Sequence, residues 1–446
     1  MASGAWIAAR DYCFHHEDFG IYAEALARLS WHDLNPFLTA RDIRLFNDHF
    51  DPILLLAAPL RVFGPAWKVA LGTEWLFIAL SLVPLLWLAK QRRLSALAVI
   101  TASSLLVINP AVSRALRFPV HPTAWAIAPM MAIVAMVSLR RYRLLPLALV
   151  VLFACKEEFP FFGVALGLAL LKQGERRPAV TALVLSCAWL VVAFVLRPYL
   201  VGPTSAYASS LFADLWLDPV AYFRDRLTAN GLGSGLWDFA APTLPLLVWL
   251  MLQRRRPDLT LLIAALPLLA IRFLGSAWRH HYLAPLAPIL VALYIGAHDE
   301  RPVPAYLSFI TLAITLALNG ANARFALARW GGDIAAAPHY CPARETRLAT
   351  LDDAVDRLDA ERDGAVLVQG NLFAQLAERT DVYVVGNFQG GPRPYRFVLL
   401  EKPPLGDPYP HSHHAIEELI VRARRDATNV LADTDGLFFA EGAFRF

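Results

Sequence analysis

Residues 144–171 read LLPLALVVLFACKEEFPFFGVALGLALL, an apolar run with three consecutive charges, Lys156, Glu157 and Glu158, at its middle. Charge in such a run demands an explanation, because an ionised side chain facing lipid is costly and marks a polar cavity or a substrate path. Arg140, Arg141 and Arg143 precede the run, and Lys172, Arg176 and Arg177 follow it. The positive-inside rule therefore puts both ends in the cytoplasm, which makes the run a hairpin. Each arm holds twelve or thirteen residues, roughly 18–20 Å at about 1.5 Å per residue, and so falls short of the roughly 30 Å hydrocarbon core. The Lys-Glu-Glu tip should lie at depth, under a cavity open to the outer side. A single span over 144–171 would instead leave Arg254, Arg255 and Arg256 outside, and is rejected.

Working outward, the whole chain of 446 residues is 57% hydrophobic and 17% charged, with a mean hydropathy of +0.45. That is too apolar for an ordinary soluble protein and predicts a polytopic membrane protein. The formal charge of +4 sits largely in short basic clips between apolar runs. These read as topology signals, and no nucleic-acid patch is present. The four cysteines show no CxxC spacing and so supply neither a metal site nor a disulfide framework, although Cys13 and Cys341 could pair if both are outside. The opening MASGAWIAAR lacks the features of a cleavable signal peptide. Because the first convincing span begins only near Lys68, a further membrane helix, or an earlier start codon, is expected upstream of residue 1.

Within 1–67, taken as an outer-face loop, HHEDFGIYAEALARL carries Phe19, Tyr22, Leu26 and Leu29 at helical spacing, an amphipathic helix. Asp51-Pro52 starts a short apolar run that is expected to lie in the interface or to re-enter. A transmembrane domain over 68–319 then alternates apolar runs with flanks: 68–89 inward, 94–113 outward, 122–139 inward, the hairpin, and 178–196 outward. After a loop, 238–253 returns inward, 258–274 goes out, 282–297 comes in and 303–319 goes out. From 320 to 446 the composition is that of a soluble domain. Strand, short helix and strand in GAVLVQGNLFAQLAERTDVYVVG, a strand in YRFVLLE, a helix over 415–425 and a final strand and hairpin predict a small α/β domain. Gly370 alone is no nucleotide fingerprint. The fold class is thus mainly α, a polytopic transmembrane helical bundle with a small C-terminal extracytoplasmic α/β domain.

On this topology the polar clusters outside form one set: Glu17 and Asp18, His49 and Asp51, Arg114 and Arg117, His121, Lys156 to Glu158, and Arg279, His280 and His281. Asp18 could serve as a general base or cation ligand, or simply cap the helix near Phe19. His121-Pro122 could equally be a helix entrance. Lys156 and Glu157 could pair structurally, yet buried pairs seldom add net stability, so three charges kept at depth lean towards function. Arg279, His280 and His281 suit a phosphate or pyrophosphate group, or sit as interfacial residues in an aromatic belt with Trp278 and Tyr282. The HSHH at 411–414 resembles a metal clip but reads better as a solvated loop.

Together, DFGIYAEAL from Asp18, HFDPILLLAAPL from His49, FPVHPTAW from Phe118, ACKEEFPFFGVALG from Ala154 and RHHYLAPLAPIL from Arg279 resemble the DUF2079 family of predicted polytopic membrane proteins. That family is grouped by fold with the GT-C glycosyltransferases. The resemblance implies that Asp18, beside Glu17, is the catalytic base, activating an acceptor hydroxyl against a polyprenyl-phosphate-linked sugar. His49, His121, Lys156, Glu157, Arg279, His280 and His281 would form the substrate-binding set. The likeness leaves the cofactor open, a divalent metal ion being the candidate. It departs from the family at a position five residues after Asp18, where an acidic residue is expected and Ala23 stands next to Glu24. The implied protein is a multi-pass glycosyltransferase of the bacterial cytoplasmic (inner) membrane, its partners a lipid-linked donor, membrane lipid and an acceptor, with no nucleic acid. The alternative is a transporter or lipid flippase with an intramembrane Lys/Glu/His relay, which would need polar access from both faces. A third reading is an accessory protein whose soluble tail binds a partner.

Overall fold

The computed structural model describes residues 2–14, 19–202, 217–228, 240, 243–245, 247–248, 259–274, 280–296, 298, 304–319, 345–386 and 394–446. Contacts divide the chain into two compact units, one of residues 1–45, 54–72 and 323–446, the other of 46–53 and 73–322.

The first unit joins stretches from both ends of the chain. Helix α1 (Ala2–Arg10) and α2 (Ile21–Arg28) are followed by a two-stranded ribbon, β1 (Phe37–Leu38) and β2 (Ile43–Arg44). Phe19, Tyr22, Leu26 and Leu29 are all buried, but so are Ile21, Ala23, Glu24 and Ala25, so α2 is enclosed on more than the expected apolar stripe. Much later come α13 (Glu345–Ala360) and α14 (His413–Asp426) with strands β3 (Val366–Val368), β4 (Val382–Val384), β5 (Tyr395–Glu401), β6 (Ala427–Asp433) and β7 (Leu437–Phe444). The five strands order as β4-β3-β5-β7-β6, with β3 parallel to both neighbours and β7 antiparallel to both of its own. Val398, Leu400, Phe438 and Ala440 from β5 and β7 pack beneath Ile416 and Ile420 of α14. The strands expected along the chain and the helix expected over 415–425 are thus present; the sequence reading does not extend to the order of the strands within the sheet.

A buried polar knot anchors the end of α1. Arg347 reaches both carboxylate oxygens of Glu401 at 2.6 and 2.9 Å, and Asn371 donates to the same carboxylate at 2.7 Å. Arg347 also donates to Asp11 O at 2.9 Å and Asn371 to Tyr12 O at 3.1 Å. Both carbonyls follow the end of a helix, where intrahelical donors run out, and side chains 336 and 359 residues away bond to them. Cys13 beside them is disulfide-bonded, and Cys155 and Cys187 are free thiols; Cys341 lies outside the described residues.

The second unit is helical. It includes most of α3 (Ala66–Gln91), then α4 (Ala96–Val107), α5 (Pro110–Arg117), α6 (Pro122–Ser138), α7 (Leu145–Cys155), α8 (Phe159–Lys172), α9 (Arg176–Val201), α10 (Thr260–Leu274), α11 (Ala287–Gly296) and α12 (Ala305–Leu318). Among the described residues, α3 and α9, each of 26 residues, are long and apolar enough to cross a bilayer.

Several runs expected as single passages are shorter. The run 94–113 breaks at Asn109-Pro110, and α4 and α5 meet at a 49° bend. The reason is local. Pro110 has no N–H to continue the helix, while the Asn109 side chain accepts from Ala111 N at 2.9 Å and starts a new one. Asn319, just past α12, closes the gap by donating to Ile108 O at 2.5 Å and Ser113 Oγ at 2.8 Å. The run 282–297 opens as a 3₁₀ turn, His280–Leu286, containing Pro285, and only its second part is α11. The run 238–253 lies largely outside the described residues.

The 144–171 run divides where its charges predicted. Lys156 is extended (φ −169°, ψ 150°) and ends α7, and Pro160 sits in the first turn of α8, where a missing N–H costs nothing. From there α8 turns into α9 and lies against it. Gly163 and Gly167, four residues apart, form the contact: a Cβ at Gly167 would come within 2.7 Å of Leu183 and 3.1 Å of Ala179 O, and one at Gly163 would strike Ser186 and the Phe153 ring. This is the small-residue spacing that lets membrane helices approach closely.

Candidate functional site

The break between α7 and α8 is the polar centre of the helical unit. Lys156 and Glu158 are each 8% exposed, Asp51 1% and Arg272 5%. Extended Lys156 turns the tip out of helical register, so its three charges point to three different neighbours.

Glu157 meets the 46–53 segment. Its Oε1 accepts from His49 Nδ1 at 3.1 Å and its Oε2 from Phe50 N at 3.0 Å. One residue pair further on, Ile53 N donates to Ala154 O at 2.9 Å, so the segment is stitched to the tip by main chain as well as side chain. Phe50 extends this contact, facing Trp189 at 6.1 Å and the Arg197 guanidinium at 5.8 Å. Burial and Lys156 press the His49 imidazole towards neutrality, but the Glu157 carboxylate, its hydrogen bond and Asp51 outweigh them and hold His49 above its ordinary value.

Glu158 pairs instead with Arg272 on α10. Lys156 and Arg272 then share one aromatic face, with the ammonium 5.1 Å and the guanidinium 4.5 Å from the centre of the Tyr282 ring. Both tip carboxylates are thereby engaged by other partners, and among the described residues Lys156 forms no ion pair. The tip thus holds a buried ammonium on an aromatic face, with a second cation alongside that has its own counter-ion.

The 3₁₀ turn carrying Tyr282 also packs against α5 and the first turn of α6. His121 stands at that first turn and is 4% exposed. Its N–H donates to Glu74 Oε2 at 2.7 Å, and its ring lies 5.3 Å from Phe118. Elements bearing His49, His121, Lys156, Glu157 and the 280–286 turn therefore converge. Glu17, Asp18 and Arg279 lie outside the described residues, as do the side chains of His280, His281 and Arg117.

Charged residues at this centre that escaped the sequence reading include Arg197 at the end of α9 and two inside apolar runs, Arg272 in 258–274 and the fully buried Glu74 in 68–89. The same signal that singled out Lys156, a charge within an apolar run, was available for Arg272 and Glu74. One expected pairing also differs, since Glu157 holds His49 rather than Lys156. Glu24, the carboxylate nearest the family's second acidic position, belongs to the first unit. It accepts from Thr39 N at 2.8 Å, Thr39 Oγ1 at 2.6 Å and Ala40 N at 3.1 Å, and pairs with Arg28 at 2.5 Å. Burial pushes its carboxyl above the usual value against those donors. Its acceptor sites are occupied by structure. Among the described residues no three His, Cys, Asp or Glu side chains cluster as metal ligands.

A bundle of interrupted apolar helices around a buried, charged helix break defines an integral membrane protein with a polar interior. Residues 20–437 match the family described as predicted membrane protein (DUF2079), and the chain belongs to that family. Its fold is similar to that of ArnT from Cupriavidus metallidurans bound to undecaprenyl phosphate, with a TM-score of 0.52 at 15% identity over 98% of this chain and 96% of that one. The apo form of the same protein gives 0.50 at 14% identity, covering 98% and 95%. No curated protein matches the chain.

Proposed function

We propose that this protein is a membrane-embedded glycosyltransferase of GT-C type that moves a sugar from a polyprenyl-phosphate-linked donor to an acceptor hydroxyl at the outer face of the cytoplasmic membrane. The observation that carries the reading is a fold shared, over nearly the full length of both chains, with a protein bound to undecaprenyl phosphate. The buried ammonium of Lys156 supports it. A lipid-linked donor reaches its site sideways from the bilayer, and the phosphate it leaves behind needs fixed positive charge in a poorly hydrated cavity.

In this reading Asp18, beside Glu17, takes the acceptor's proton as the hydroxyl oxygen bonds to the anomeric carbon, and the carbon–oxygen bond to the prenyl phosphate breaks. Lys156 and at least one of Arg279, His280 and His281 hold the departing phosphate. Glu157 acts at one remove, fixing His49 and the 46–53 segment over the tip, and His121 borders the same space. The C-terminal α/β domain stands on the outer side with the acceptor. The test is binding of a short-chain prenyl phosphate to the purified full chain. The reading expects saturable binding that Lys156→Met weakens, and a wild-type protein that binds no prenyl phosphate sinks it.

A further inference from the structure

A second cleft lies on the outside of the helical unit, away from the charged break. A groove of about 670 Å³ runs along α6, within the about 300–1,000 Å³ usual for ligand pockets. One wall is α3, where Phe77, Leu80, Pro84 and Trp87 recur at helical spacing, and the other is α7, with Leu144, Leu147 and Val151. The floor is α6, which packs against both wall helices. The groove is hollow because that floor offers small side chains, Ala128 and Ala132, between taller flanks. Leu80, Val83, Leu144 and Leu147 are 44–63% exposed along it.

Its lining is apolar except at one end, where the α6–α7 connection contributes Arg141 and Arg143. The Arg141 guanidinium lies 5.8 Å from the Trp87 ring and reaches Gln91 at 3.3 Å. Among the described residues neither arginine has a carboxylate partner. An apolar trough ending in two uncompensated guanidiniums and an indole has the charge pattern of a lipid lying on its side: acyl chain in the trough, anionic headgroup on the arginines, tryptophan at headgroup level.

The geometry points to a binding site for one anionic glycerophospholipid of the cytoplasmic leaflet, seated between α3 and α7 with its phosphate on Arg141 and Arg143. The site is separate from the donor site proposed above and does not depend on that reading.

Native mass spectrometry of the purified full chain, released from micelles doped with phosphatidylglycerol or phosphatidylcholine, tests it. The wild type should retain one phosphatidylglycerol at least roughly tenfold more tightly than phosphatidylcholine, because two basic residues at the headgroup level favour an anionic lipid. Arg141→Gln with Arg143→Gln, at exposed positions, should abolish that preference. Ala132→Phe, which fills the trough from its floor, should reduce retention of both lipids while the arginines remain. Equal retention of the two lipids by the wild type, or an unchanged preference in the double variant, overturns the proposal. So does a double variant that loses prenyl-phosphate binding, because the trough would then hold the donor's chain.

Discussion

His49 Nδ1 donates to Glu157 Oε1 at 3.1 Å across 108 residues of sequence, and this bond pins the 46–53 segment onto the charged helix break. Its strength follows the charge on His49. Because the folded value is raised above that of a free histidine, the pairing contributes fully below about pH 6.5 and is lost as pH climbs through the folded value. Thermal unfolding of the detergent-solubilised protein should therefore show stability falling as the pH rises above about 6.5. Glu157→Gln should flatten that fall, and a profile identical in the two proteins would dismiss the pairing as a source of stability.

Lys156 and Arg272 share the Tyr282 face but should respond differently to removal. Lys156 has no ion-pair partner among the described residues, so Lys156→Met should leave folding intact and weaken prenyl-phosphate binding by about 1.5–3 kcal/mol, the range for hydrogen bonds to charged groups. Arg272→Met strands Glu158 in a buried site and should cost about 3–5 kcal/mol of stability. Binding isotherms and melting curves on the same preparations separate the two. Unchanged affinity in a folded Lys156→Met protein returns that ammonium to a structural role.

Asp18→Asn should stop sugar transfer while leaving expression and prenyl-phosphate binding near wild type, because the amide keeps the size and capping ability of the carboxylate but takes no proton. Turnover at the wild-type rate in this variant would remove Asp18 from the chemistry.

In the first unit, Arg347→Met leaves Glu401 buried with only neutral donors and removes the bond from Arg347 to the Asp11 carbonyl. A loss of about 3–5 kcal/mol is expected. Limited proteolysis of the full chain should then open at the end of α1 and in the sheet together. Cleavage confined to α1 would mean that the Glu401 knot does not couple them.

Much of this architecture was legible because its causes are local. Apolar runs and turn signals located β3 to β7, the helical spacing of Phe19, Tyr22, Leu26 and Leu29 located α2 though not its burial on every side, and three charges in an apolar run marked the α7–α8 break. What stayed hidden was long-range. Nothing near Arg347 or Asn371 in sequence announces that they cap a helix at the opposite end of the chain, and nothing near Glu157 announces His49. The shortened passages were missed for another reason: mean hydropathy counts Pro110 and Pro285 as tolerable residues, whereas backbone geometry treats them as stops. Gly163 and Gly167 were visible at their four-residue spacing and were passed over beside the charges.

Topology underlies the proposed orientation of the site. Single cysteines replacing Leu217 and Glu418, both on exposed positions, in a Cys187→Ser background, should react with an impermeant thiol reagent on intact cells. If either labels only after permeabilisation, the outward-facing arrangement of the loop over 197–237 and the α/β domain is lost.

The bend between α4 and α5 carries a consequence for biosynthesis. The side chain that takes up the Ile108 carbonyl belongs to Asn319, which the ribosome adds 211 residues later. At about 5–20 residues per second, that is a wait of roughly 10–40 s. Through that interval the segment that forms the bend is without its latch. A bundle released early, before Asn319 emerges, would carry an open carbonyl at its kink, which is the kind of mark by which quality control could tell an unfinished chain from a finished one.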